Sequence, residues 1–153
     1  MKLIDFIKDN STVCGFSAGS RNKAIQVLAD TLAERGIVES QGEVTDGLTV
    51  MEELHTTVIG NGVAVPHATI AGVPQTVLMV AVSAEPIEFG PTDQDLCSVF
   101  FVLLSPPGRG GEHVRVLARI ARLASNPAAV ERLRSAESEA VLREAVEAMD
   151  ARR

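Results

Sequence analysis

Two long apolar runs constrain the fold of this chain most strongly. They cover residues 76–82 and 97–104 and contain almost no polar side chains. Alternation of apolar and polar residues marks a strand with one solvent-exposed face, whereas a nearly continuous apolar run is typical of a strand covered on both faces. The two runs therefore predict the central strands of a sheet that has other layers on both sides.

The rest of the chain predicts helices and one hairpin around these strands. Residues 57–59 and 63–67 flank the turn residues Asn61-Gly62, a pattern typical of a short hairpin. Apolar residues at helical spacing, together with capping residues, predict five helices. Their expected ranges are about 20–35, about 45–55, a helix opening near 112, one opening at Asn126-Pro127, and about 136–149. Residues 85–91 are expected to form an edge strand or a loop. These elements predict an α/β sandwich in a single domain.

Composition and charge exclude several classes of function. The chain of 153 residues carries a net charge of -6 and has neither Trp nor Tyr, which argues against nucleic-acid binding. Two cysteines in a chain of this size do not form a disulfide framework. We find no signal-peptide core and no apolar stretch long enough for a membrane span, so a cytoplasmic protein without membrane insertion is expected.

Histidine is the residue type best suited to group transfer here, and His67 is the strongest candidate. Histidine titrates near neutral pH and offers a nitrogen nucleophile. Pro66 fixes its own φ and favours an extended conformation at Val65, so His67 is expected at a defined point on the rim of the sheet. Phosphoryl transfer depends on such alignment. From spacing alone, a loop histidine without function is an equally good interpretation.

The other two histidines carry weaker local signals. His113 lies in the first turn of a helix after Gly110-Gly111, where backbone N–H groups attract anions, but a structural cap histidine is the preferred interpretation of that pattern. His55 ends the second helix and is interpreted as structural or solvated. No His-x-x-x-His pair typical of a zinc site is present, and no phosphate-binding loop or dinucleotide fingerprint occurs. A metal site is therefore not predicted.

The segment Gly60-Asn61-Gly62-Val63-Ala64-Val65-Pro66-His67 resembles the active-histidine signature of a known family. This is the fructose/mannitol-type enzyme IIA family of the bacterial phosphotransferase system, which includes the nitrogen-regulatory enzyme IIA proteins. Residues 20–38 resemble the family's first long helix, and residues 85–89, 97–104 and 112–114 are similar to its second half. The resemblance implies the enzyme IIA type 2 fold, with a small mixed β-sheet flanked by helices, as one domain over residues 1–153.

The resemblance also implies a mechanism and partners. His67 would accept a phosphoryl group from a histidine-phosphorylated carrier protein and would pass it to an enzyme IIB domain or act as a phosphorylation-dependent regulator. His113 would lie beside His67 and hydrogen-bond the phosphoryl group. No cofactor is implied, because the donor protein already holds the activated group. Apolar residues near His67 are expected to contact partners, with Val63, Val65 and Ile70 as candidates.

One departure from the family pattern concerns charge. Many members carry an arginine where this chain has Met51, and that arginine helps to neutralise the phosphoryl group. Arg109 in the glycine-rich loop is one candidate replacement, with the backbone N–H groups of Gly110 and Gly111 as further donors and Thr57 as a polar neighbour. A solvated loop cation is the alternative interpretation of Arg109.

Three hypotheses for the function follow. The leading one is a phosphohistidine carrier, and the second is a regulatory binding module of the same fold that is weakly phosphorylated or not phosphorylated. The third is a small-molecule-binding α/β domain without phosphoryl chemistry.

Overall fold

The computed structural model describes residues 1–151, and its six-stranded sheet is built around the two apolar runs. The strands are β1 (Thr12–Phe16), β2 (Val58–Gly60), β3 (Val63–Ala64), β4 (His67–Thr69), β5 (Val77–Glu88) and β6 (Leu96–Ser105). The strand order is β1-β5-β6-β3-β2, and β4 also pairs with β6. Strands β5 and β6 are antiparallel, whereas β1 is parallel to β5, and β3 and β4 are parallel to β6. The sheet is mixed, as the family resemblance implied.

Helices cover both faces of this sheet, and each face has its own apolar core. The helices are α1 (Arg21–Glu34), α2 (Gln41–Leu54), α3 (Gly110–Ala124), α4 (Pro127–Arg134) and α5 (Glu139–Ala151). Alternate residues of β6 point to opposite sides, so that Phe100 joins the core under α1 and α2 and Phe101 joins the core under α3, α4 and α5. The prediction of strands buried on both faces is confirmed.

Several predicted boundaries were right and others were wrong. The hydroxyl of Ser20 caps α1 by accepting a hydrogen bond from the Lys23 N–H, and Asn126 caps α4. Helix α2 starts four to five residues earlier than predicted, because the Ser40 hydroxyl caps it through the N–H of Glu43. Helix α5 starts later, at Glu139. The prediction missed β1 and a short 3-10 helix at Leu3–Phe6.

The segment 85–91 was expected to form an edge strand or a loop, and it contains the end of β5, beyond the pairing with β1, followed by a loop. Strand β5 continues to Glu88, and Ile87 pairs with Cys97 of β6 after an irregularity that follows Val82. Only the residues after Glu88 leave the strand. The irregularity lets Ala84, Glu85 and Pro86 project into solvent without ending the strand.

The predicted hairpin forms, and it places His67 at the rim of the sheet. Strands β2 and β3 are antiparallel, and Asn61 and Gly62 both adopt positive φ in the turn between them. Pro66 separates β3 from β4, and both strands then pair with β6. Residues 63–69 therefore run alongside β6, and His67 is paired with Leu103.

Candidate functional site

The first residue of β4, His67, is half-buried with one ring nitrogen already occupied. Its Nδ1 atom lies 2.6 Å from the carbonyl oxygen of Val65. A carbonyl oxygen can only accept a hydrogen bond, so Nδ1 carries the proton and donates it. In the neutral ring the lone pair is then on Nε2, which makes Nε2 the nucleophilic atom of His67.

The second histidine comes from the first turn of α3 and is held by the end of β6. The Oγ atom of the buried Ser105 lies 2.5 Å from Nδ1 of His113. The rings of His67 and His113 have centroids 5.4 Å apart and are inclined at 60°. The structure therefore brings together the two histidines that the resemblance paired.

Burial determines the electrostatic character of His113. The pKa of His113 is lowered from its ordinary value of 6.5, mainly because burial disfavours the charged ring and also because His67 is close. A neutral His113 still has one ring N–H. It is therefore suited to donate a hydrogen bond near His67 without carrying a full positive charge.

A buried carboxyl group lies beside this pair. Glu52, near the end of α2, is 5% exposed and accepts two hydrogen bonds from Thr57, one from its N–H at 2.9 Å and one from its hydroxyl at 2.6 Å. Burial raises the pKa of Glu52, although the Thr57 hydrogen bonds and the charges of Arg21 and His67 act in the opposite direction. These two hydrogen bonds connect the end of α2 to Thr57, which directly precedes β2.

The third histidine also lies near the site, and its exposure agrees with the prediction that His55 is structural or solvated. His55 follows α2 and is exposed, and its ring centroid lies 6.3 Å from that of His67. It also lines an open cavity of about 420 Å³ together with Arg21 and Glu52. Three imidazoles from three different elements therefore converge on one edge of the sheet.

An apolar groove adjoins His67 on the other side. Its volume is about 400 Å³. The residues that line it come from the segments at β2 and at the start of β4 and from one face of α3, and they are Thr56, Thr57, Ile59, Val65, His67, Val114, Leu117, Ala118 and Ala121. Val114 is 63% exposed and Ile59 is 44% exposed, and both line this one groove; apolar side chains that are exposed together, rather than singly, are typical of an interaction surface.

The prediction of partner-contacting residues was therefore largely wrong. Val63 and Ile70 are buried in the two cores because they belong to, or directly follow, strands that pair with β6. Val65 is also buried, although it lines the floor of the groove. The exposed apolar side chains are supplied by Ile59 and Val114 instead.

The residues predicted to compensate charge lie at the edge of the site. The Arg109 guanidinium is 55% exposed, lies 3.8 Å from the Glu112 carboxylate and lines a different cavity, next to Thr76. Gly110 and Gly111 begin α3, one turn before His113. The hydroxyl proton of Thr57 is already donated to Glu52, so in this arrangement it is not available to a ligand.

Sequence reasoning missed three residues of the site. Ser105 was not among the predicted site residues, because its contact with His113 crosses the loop between β6 and α3. Glu52 gave little signal, because its partner Thr57 is brought near by a turn rather than by helical spacing. For His55, the signal was its nearness to the signature in sequence.

Within residues 1–151, no group of three or more His, Cys, Asp or Glu side chains has a geometry that would hold a metal ion. In the same part of the chain, no helix combines the length and apolar character needed to cross a bilayer.

Comparison with known proteins identifies the family. Residues 5–149 match the family model described as phosphoenolpyruvate-dependent sugar phosphotransferase system, EIIA 2. The chain belongs to this EIIA 2 family. A nitrogen regulatory protein of Bradyrhizobium diazoefficiens is 31% identical over 135 residues, which cover 88% of this chain and 88% of the relative.

Solved structures of EIIA proteins share the fold. The crystal structure of nitrogen regulatory protein IIA-Ntr from Neisseria meningitidis aligns with a TM-score of 0.84 at 29% identity, covering 94% of this chain and 97% of the other. Enzyme IIAMTL from Escherichia coli, solved in complex with phosphorylated enzyme IIBMTL, aligns with a TM-score of 0.78 at 22% identity over 93% of this chain and 99% of the other. The predicted fold is confirmed.

Proposed function

We propose that His67 accepts a phosphoryl group from a histidine-phosphorylated carrier protein. It then passes the group to an enzyme IIB domain, or its phosphorylation state controls a regulated partner. The observation that carries the proposal is the hydrogen bond between Nδ1 of His67 and Val65, which leaves Nε2 as the nucleophile. The nearness of His113 supports it.

The transfer balances without an added cofactor. The Nε2 lone pair of His67 attacks the phosphorus of the donor phosphohistidine. A bond from Nε2 to phosphorus forms, the donor nitrogen–phosphorus bond breaks, and its electron pair returns to the donor ring. The proton on Nδ1 stays with His67, where the Val65 carbonyl stabilises the positive charge that develops on the ring.

His113 and Ser105 would then stabilise the phosphorylated state. A serine hydroxyl can donate to Nδ1 of His113, which leaves the proton of the neutral ring on Nε2. That N–H can donate to a phosphoryl oxygen on the neighbouring His67. The N–H groups at Gly110 and Gly111 are further candidate donors, since they lie at the start of α3.

The apolar groove fits the docking step. A donor phosphohistidine must approach Nε2 of His67 closely, so the donor surface has to cover the neighbouring residues. Those residues include the exposed Ile59 and Val114. We therefore expect the carrier protein to cover this groove with an apolar surface of its own.

A second candidate function is a regulatory EIIA-like module that binds a partner without turning over phosphate. Met51, where many EIIA proteins have an arginine, packs against the core under α1 and α2. It therefore offers no charge to a phosphoryl group, whereas the groove would bind an apolar partner in either state.

One experiment distinguishes the two functions. The protein is incubated with phosphorylated carrier protein, and its intact mass is measured. Phosphorylation adds about 80 Da, and the addition should be absent in His67→Gln. The matched control is Thr69→Ala, an exposed position on the same strand, which should be labelled like the wild type. A wild-type protein that gains no mass while still binding the carrier would favour the regulatory module.

A further inference from the structure

Phosphorylation of His67 would add negative charge that His67 and His113 alone do not balance. A phosphorylated histidine carries roughly two negative charges near neutral pH, by analogy with other phosphorylated side chains. The buried Glu52 carboxyl group adds to the negative side when it is ionised. Burial favours a neutral ring at His113, so His113 is a good hydrogen-bond donor but a poor source of positive charge.

His55 is placed to supply that charge. Its ring lies 6.3 Å from the ring of His67, measured between centroids, with the two planes inclined at 38°. The contact that the structure shows for it runs from Nδ1 to the carbonyl oxygen of Thr56 at 3.5 Å, which is beyond the usual range of a hydrogen bond. This contact does not fix the ring, and the exposed side chain is free to turn towards His67.

The charged groups around His55 favour this residue over Arg109 and Arg21 as the source of the positive charge. His55 shares an open cavity with Arg21 from α1 and with Glu52 and Glu53 from α2, while His67 approaches it from β4. Arg21 is electrostatically coupled to Glu52, and its guanidinium donates two hydrogen bonds to Asn22. Arg109 is next to Glu112.

We propose that His55 contacts the phosphoryl group on His67 and provides, as an imidazolium, the positive charge that Met51 does not. The inference rests on the proposed function, because it requires His67 to be phosphorylated. An opposite charge at hydrogen-bond distance favours the protonated imidazole. The resulting charge-assisted hydrogen bond stabilises both the transfer and its product.

A charge series at position 55 tests the proposal. Phosphoryl transfer from the phosphorylated carrier protein is measured as a rate, and the phosphorylated protein is then isolated and its half-life measured. In His55→Gln, which keeps a polar side chain without the charge, we expect the rate to fall and the half-life to shorten by about tenfold or more, the effect of losing one charge-assisted hydrogen bond. In His55→Arg, which restores a positive charge, both should return to within about threefold of the wild type.

A control substitution and an NMR measurement distinguish an effect of the charge at position 55 from an effect on the structure. Arg132→Ala removes an exposed cation of α4, outside the site, and should leave the rate within about twofold of the wild type. Nitrogen-15 NMR of His55 in the phosphorylated protein at neutral pH should show both ring nitrogens protonated. Equal rates and half-lives for the wild type and His55→Gln, or a neutral His55 ring in the phosphorylated protein, would overturn the inference and leave the proposed function standing. A wild-type protein that is not phosphorylated would overturn both.

Discussion

The Nδ1 atom of His67 donates a hydrogen bond to the carbonyl oxygen of Val65, two residues earlier in the chain. Because this nitrogen is occupied by the protein's own backbone, we expect the phosphoryl group only on Nε2. Nitrogen-15 and phosphorus-31 NMR of the phosphorylated protein will show coupling of phosphorus to Nε2. Coupling to Nδ1 would contradict the assignment, since it would require the Val65 contact to break.

Ser105 is expected to act through His113. The change Ser105→Ala removes the hydroxyl at Nδ1 of His113, so that His113 no longer has a partner that fixes its ring and its proton. The loss of one neutral hydrogen bond should slow phosphorylation of His67 by about twofold to tenfold. The measurement is the transfer rate from the phosphorylated carrier protein.

The control for this prediction is Ser105→Thr, which keeps the hydroxyl and should retain most of the activity. If Ser105→Ala and Ser105→Thr are slowed equally, the effect is caused by packing around this buried residue rather than by the hydrogen bond to His113.

The lowered pKa of His113 predicts how stability depends on pH. The unfolded chain has its ordinary histidine pKa near 6.5, so between that value and the lower pKa of the folded state the unfolded chain binds more protons. Acidification through this window therefore lowers the free energy of unfolding. Urea unfolding at several pH values should show that acidification lowers the free energy of unfolding less in His113→Asn than in the wild type. Identical pH profiles would mean that burial does not perturb His113.

Glu52 and Thr57 give a prediction about stability. In Glu52→Ala, the Thr57 N–H and hydroxyl lose their shared acceptor in a buried position. We expect the free energy of unfolding to fall by about 1–3 kcal/mol, the cost of leaving buried polar groups unsatisfied. The measurement is chemical denaturation at neutral pH.

Glu52→Gln is the matched variant, because its amide oxygen still accepts one of the two hydrogen bonds while the buried charge is removed. We expect it to be more stable than Glu52→Ala. A Glu52→Ala protein that is as stable as the wild type would show that water satisfies Thr57.

Much of the fold could be predicted because the decisive signals are local. The continuous apolar runs identify β5 and β6, and Ser20 and Gly36 mark the ends of α1. The start of α2 was less visible, because its first turns contain Gly42 and several polar residues, and only the Ser40 cap marks it. Strand β1 is five residues long and gains its stability from pairing with β5, which is a tertiary effect.

The candidate site was predictable only in part, for a related reason. His67 follows a distinctive strand and proline, and the family resemblance pointed to His113. The contacts of His55 and Ser105 with these two residues depend on how the end of α2 and the end of β6 meet at β4. No spacing rule within the chain encodes such a meeting, so these contacts emerge only from the structure.

The parallel pairing of β4 with β6 has a consequence for synthesis of the chain. Strand β5 lies between them in sequence, so a nascent chain that ends after β5 already contains His67 but lacks the strand that holds it, and it lacks His113 as well. Parallel strands also pair late, because they close a long loop. Under the proposed function, an unfinished or misfolded chain would therefore be a poor phosphoryl acceptor. The phosphorylated fraction of freshly made protein would then report how much of it has completed its sheet.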